Sequence, residues 1–156
     1  LVLKDKFKLN HKLKKYFINQ YFMPNVQLKL TDQIVKFANT SIDISDGLLA
    51  DLDKMINNQK LSYKLFLKDI PISDNLKKVL DLKKLSKINY VSNGDDYQVL
   101  FTASKNKSRI IKKIASNCRV KLTKIGSIQS PAIESSIVDD KNVKISPKNK
   151  GYFHNF

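Results

Sequence analysis

Between Ser41 and Asn57 the apolar residues change their period, and that change limits what the chain can become. Ile42 and Ile44 alternate with Asp43 and Ser45, the repeat of a half-buried strand. From Leu48 onward the apolar positions are Leu48, Leu49, Leu52, Met55 and Ile56, one stripe of a helix running from about Gly47 to Asn57. Gly47 stands at the junction, where a tight corner needs a residue without a side chain. A strand that turns straight into an amphipathic helix needs a sheet for the first part and an apolar surface for the second, so helices must lie on a sheet.

The same reading extends along the chain. Asn10 to Phe22 has Leu13, Phe17, Ile18 and Phe22 near helical spacing, and Pro24 ends that helix. Thr31 is expected to cap a second helix through about Asn39, with Ile34, Val35 and Ala38 inward. Strands are expected over Thr40–Ile44, Ser62–Leu67, Tyr97–Thr102, Val120–Ile128, Ser135–Val138 and Val143–Ile145, the last two forming a hairpin about Asp139–Asn142. Further helices are expected over Asp74–Leu85 and from a Ser104 cap to Asn117, with Ile110, Ile111 and Ile114 inside. This order argues for an α/β (α+β) fold with one mixed β-sheet covered by helices. Residues 1–30 read as a linker helix and lead-in, and residues 31–156 as the domain proper. The closing stretch holds Tyr152, Phe153, His154 and Phe156, and so many aromatic residues imply that it docks on something.

The chain has 156 residues, enough for one domain with a real core. No run reaches the ~18 apolar residues of a membrane span, and Leu1 to Lys15 shows no signal-peptide core. The start at Leu1 without methionine leads us to expect missing upstream sequence. Cys118 is the one cysteine, which excludes an internal disulfide and fits a reducing cytoplasm. The formal net charge is +15, yet only Arg109 and Arg119 of the 29 basic side chains are arginine. Base and phosphate recognition favours arginine, so the lysines read as a solvated surface rather than a nucleic-acid interface.

Chemistry concentrates in two places. If Ile42 and Ile44 face a core, Asp43 and Ser45 face the other way, about 6.5–7 Å apart, and Asp46 follows where the strand becomes a helix. Two carboxylates and a hydroxyl beside a helix N-terminus suit a hard cation that bridges to phosphate oxygens, and magnesium is the natural choice. The plainer alternative is that Asp46 caps the helix and Asp43 is solvated. The second place is Ser92-Asn93-Gly94-Asp95-Asp96-Tyr97, a sharp turn that could present Asp95 at a sheet edge or be an ordinary acidic turn. His11 and His154 are too isolated for a metal set, and no Gly-rich phosphate loop is present.

Together these stretches resemble the thiamine-monophosphate kinases. Ser41-Ile42-Asp43-Ile44-Ser45-Asp46-Gly47-Leu48-Leu49-Ala50-Asp51-Leu52 is similar to that family's Asp-Ile-Ser-Asp-Gly-Leu signature. Asn93-Gly94-Asp95-Asp96-Tyr97-Gln98-Val99-Leu100-Phe101-Thr102 resembles its Gly-Gly-Glu-Asp-Tyr-Glu-Leu-x-Phe-Thr. Tyr21-Phe22-Met23-Pro24, Ile125-Gly126 and Lys150-Gly151-Tyr152 with His154 resemble further family segments in the same order. Departures include Asp95 for Glu, Asn93 for Gly, Gln98 for Glu and Phe153 for Asp.

The resemblance implies a fold like the C-terminal domain of aminoimidazole ribonucleotide synthetase-like enzymes, with an N-terminal ATP-binding domain absent from this chain. It implies Asp43 and Asp46 as Mg2+ ligands, Ser45 as an ATP contact, and Asp95 and Tyr152 as contacts to thiamine monophosphate. The implied reaction moves the γ-phosphoryl of ATP onto thiamine monophosphate. The acceptor phosphate is already anionic, so no catalytic acid or base is nominated. The implied parent is a cytoplasmic homodimer, with this part inactive alone. The alternatives are another ATP-dependent synthetase of the same superfamily and a lysine-rich nucleic-acid-binding module.

Overall fold

The computed structural model describes residues 8–57 and 59–152. Helix α1 (His11–Phe22) starts at Asn10, whose side-chain oxygen accepts from the Leu13 amide at 2.9 Å. It buries none of its residues, and Tyr21, Phe22 and Met23 at its end are exposed. Helix α2 (Leu28–Ile34) lies a turn earlier than its expected place. Thr31 is inside it and caps nothing, and Val35 is 79% exposed rather than inward. The spacing Leu30, Ile34, Phe37 competes with the spacing Ile34, Val35, Ala38, and it wins because Phe37 meets Phe101 edge-on, with ring centroids 5.1 Å apart.

Strand β1 (Ala38–Asp43) leads to helix α3 (Leu48–Asn57), as the change of period requires. Strand β2 (Ser62–Phe66) follows, then a single 3-10 turn and helix α4 (Asp74–Lys83). The Ser73 hydroxyl accepts from the Leu76 amide at 3.1 Å and so starts α4. A short helix α5 (Ile88–Val91), which the spacing does not signal, precedes β3 (Val99–Ala103). Tyr97 was expected in that strand, but its φ of +50° takes it out. Helix α6 (Ser108–Cys118) begins only after a 3-10 turn over Lys105–Lys107, and the Ser104 side chain makes no cap bond.

The last strands are β4 (Gly126–Gln129), β5 (Ser136–Val138) and β6 (Lys144–Ile145). The long strand expected from Val120 is not there. Arg119 turns left-handed, and then Leu122 packs on one core and Ile125 on the other, so the segment crosses between cores instead of following a sheet edge. The expected β5–β6 hairpin forms, with Asp139 Oδ1 accepting from the Lys141 and Val143 amides at 2.9 Å each.

The expected single sheet is two sheets among the described residues. One is the antiparallel pair β1–β3, and the other has the order β4-β2-β5-β6. The second is mixed, with β2 parallel to β5 and antiparallel to β4. Helix α3 joins them: Leu48, Leu49, Leu52 and Ile56 share one core with Tyr63 and Leu65 of β2, Ile137 of β5 and Leu100 of β3. Leu30, Phe37 and Ile114 form a second core with Val99 and Phe101 packed against it. The alternation along β3 thus divides its side chains between two cores, while β1 leaves Asn39, Ser41 and Asp43 exposed.

Candidate functional site

The corner between β1 and α3 is built by two loops that hold each other. Pairing continues past β1: the Ile44 amide donates to Gln98, the Tyr97 amide to Ile44, and the Asp95 amide to Ser45, each at 2.8 Å. Gly47 has a φ of +120°, and a Cβ there would sit 2.2 Å from the Ser92 carbonyl oxygen. A Cβ on Gly94 would sit 2.1 Å from the Ser45 carbonyl oxygen. Each glycine therefore makes room for the other loop's backbone.

A third segment arrives from the end of the described chain. The Tyr152 amide donates to the Asp46 carbonyl at 2.8 Å, and Gly151, with φ of +144°, passes where a Cβ would be 2.6 Å from Ala50 Cβ. The Tyr152 residue is 64% exposed. The closing stretch touches the domain through its main chain at Gly151–Tyr152, with Tyr152 itself exposed, while Phe153, His154 and Phe156 lie outside the described residues. Two main-chain hydrogen bonds, Asp95 to Ser45 and Tyr152 to Asp46, thus bring these four residues to one place. Asp43 is exposed at the end of β1, opposite Val99. Its charge reaches the same region: Asp95 first, and Asp43 to a smaller degree, raise the Tyr97 phenol above its ordinary value. Burial pushes the Asp96 carboxyl up to about 6, with Asp95 adding to the rise, although the residue as a whole is exposed.

The Asp46 carboxylate pairs with the Lys54 ammonium, which also donates to Asp51 Oδ1 at 3.1 Å. Asp46, with Asp51 second, holds the Lys54 ammonium above the usual lysine range. Among the described residues no group of three or more His, Cys, Asp or Glu stands ready to hold a metal by itself. The donors nevertheless suit a hard cation. They are carboxylate oxygens, and the Asp46 carboxylate already pairs with one cation, the Lys54 ammonium, which a metal ion would have to displace or share.

Nothing in the spacing marks Asp51, which is buried at 1% exposure inside the apolar stripe of α3. Its Oδ2 accepts from the amides of Ser45 and Asp46 at 2.9 Å each and of Gly47 at 3.1 Å. The available signal is a charge among Leu48, Leu49 and Leu52, which must be paired to be tolerated. Asp53 was likewise unmarked. It accepts from the Tyr63 hydroxyl and feels the charge of Lys150, which ties α3 to β2 and to the closing segment. Burial, helped by Asp53, pushes the Tyr63 phenol up to about 12.

No family model matches the chain. The thiamine-monophosphate kinase of Buchnera aphidicola subsp. Acyrthosiphon pisum is 33% identical over 155 residues, covering 99% of this chain and 47% of that protein. The thiamine-monophosphate kinase of Aquifex aeolicus is 30% identical over 137 residues, covering 87% of this chain and 41% of that protein. A solved structure, AaThiL complexed with AMPPCP and TMP, matches with a TM-score of 0.70 at 25% identity and covers 97% of this chain and 45% of that one. The chain is a relative of the thiamine-monophosphate kinases. It spans about half the length of the curated thiamine-monophosphate kinases it matches. The two stretches that most resemble thiamine-monophosphate kinases, Ser41–Leu52 and Asn93–Thr102, are the two loops and strands that interlock here.

Proposed function

We propose that the chain is the C-terminal part of a thiamine-monophosphate kinase and supplies one wall of a site that closes only with an N-terminal half. The observation that carries this reading is the meeting of residues 43–47, 92–97 and 151–152 at the foot of α3. In it Asp43 and Asp46 hold Mg2+, Ser45 contacts ATP, and Asp95 and Tyr152 contact thiamine monophosphate. A bound magnesium ion would neutralise charge on the phosphate oxygens. Asp43, at the end of β1, and Asp46, on a loop whose main chain is fixed, contribute hard oxygen donors. Tyr152 offers an exposed ring suited to packing on an aromatic substrate. Asp95 stands beside Ser45, held by its own amide. No side chain is required as a base, because the acceptor phosphate is already ionised.

Support comes from relatives named for this activity across nearly the whole chain, and from a related structure holding AMPPCP, an ATP analogue. The same reading makes the parent a dimer. The test joins the chain to an N-terminal half and measures thiamine diphosphate formed from ATP and thiamine monophosphate. Magnesium-dependent turnover that falls at least ~100-fold in Asp43→Asn is expected. No turnover, or turnover indifferent to Asp43→Asn, would refute the proposal.

A further inference from the structure

The loop from Ser45 to Gly47 carries residues assigned above to the cation and the nucleotide, and a residue outside it sets its course. Asp51 is 1% exposed, and a carboxylate so far from water is costly unless its oxygens are met by donors. Its Oδ2 accepts from three successive amides, those of Ser45, Asp46 and Gly47, and its Oδ1 from Lys54 Nζ. An ordinary helix cap satisfies one or two amides. Successive amides converging on one point form the kind of hollow that binds anions, and here the protein's own carboxylate fills it. Those amides are therefore committed, and a phosphate at this corner must be gripped through carboxylates and their cation. The Asp46 backbone is pinned on both sides, its amide to Asp51 and its carbonyl by the Tyr152 amide. Lys54 spans the Asp46 and Asp51 carboxylates.

We propose that Asp51 is the positioning residue of the cation site. By holding the amides of 45–47 and one end of Lys54, it fixes where the Asp46 carboxylate stands, and divalent-ion affinity depends on it. This rests on the reading that Asp43 and Asp46 take a divalent ion. A buried carboxylate with a structural role alone would change stability without changing the metal affinity of molecules that remain folded.

The probe is Mn2+ alone, titrated into the 156-residue chain and followed by paramagnetic broadening of backbone amide NMR signals. Broadening centred on residues 43 and 46 is expected in the wild type. Asp51→Asn, folded by its signal dispersion, should need at least tenfold more Mn2+ for the same broadening, with faster hydrogen exchange at Ser45, Asp46 and Gly47. Folded Asp51→Asn with unchanged Mn2+ dependence overturns the proposal. If Asp51→Asn does not fold, Asp51→Glu keeps the charge and displaces the carboxylate by one methylene; the same tenfold weakening supports the proposal and wild-type affinity overturns it. Asp43→Asn separates the two ideas. Weakened Mn2+ binding there, with none in the Asp51 variants, removes only the positioning role. If the wild-type chain alone shows no broadening, the same titrations are made on the chain joined to an N-terminal half; no broadening there, or none lost in Asp43→Asn, removes the metal reading and the positioning role with it.

Discussion

At Gly47 and Gly94 a substitution meets the backbone of the other loop, and at Gly126 it meets the Lys64 carbonyl oxygen, rather than a movable side chain. Gly47→Ala combines a positive φ with a contact to the Ser92 carbonyl, so it should cost more than ~2 kcal/mol in urea unfolding. Asp96 gives a pH signature. Its folded carboxyl titrates near 6, above the usual carboxylate value of 3.8, so the folded state binds the extra proton between those values. The stability it contributes is present below about pH 4 and is lost as pH rises through about 6. Asp96→Asn should therefore flatten the stability profile over pH 4 to 6.5, measured by thermal unfolding in a buffer series. Gly47, Gly94 and Asp43–Asp46 are visible in the sequence as motifs. That Gly47 packs on Ser92 is not, since a contact between residues so far apart along the chain leaves no local pattern.

At the scale of elements, α3 was fully legible because its stripe of Leu48, Leu49, Leu52, Met55 and Ile56 fits one helical face with no competing frame. Helix α2 was not, because two apolar frames fit equally and only a ring on β3 decides between them. The long strand expected from Val120 failed for a related reason: alternation alone does not say whether apolar residues share a core. Substitutions can test both conclusions. Leu52→Ala and Leu30→Ala should each cost about 2–5 kcal/mol by denaturant unfolding. Val35→Ala, at an exposed position, should change stability by less than ~0.5 kcal/mol. A large loss at Val35 would restore the frame that the structure rejects.

Across the whole molecule the charge is lopsided. A formal net charge of +15 spread over lysines produces self-repulsion that salt screens. Raising sodium chloride from about 10 to 150 mM should therefore raise the unfolding midpoint, by circular dichroism, as the Debye length shortens. No helix among the described residues is long and apolar enough to cross a membrane. The layered α/β design was readable from the order of strands and helices, but the division into two sheets bridged by α3 was not. Strand pairing partners are chosen by tertiary packing, and β1 finds β3 across α3, β2, a 3-10 turn, α4 and α5.

The interlock of Gly47 with Ser92 and of Gly94 with Ser45 also has a kinetic meaning. Neither turn can settle until the distant one has arrived, so loop-closure entropy must be overcome before the corner exists at all. A chain that is collapsed but unfinished, or nicked between the two turns, has no partial version of this pocket to offer. Any small molecule that recognises the corner will select finished copies only, and its presence will shift the folding equilibrium by mass action toward them.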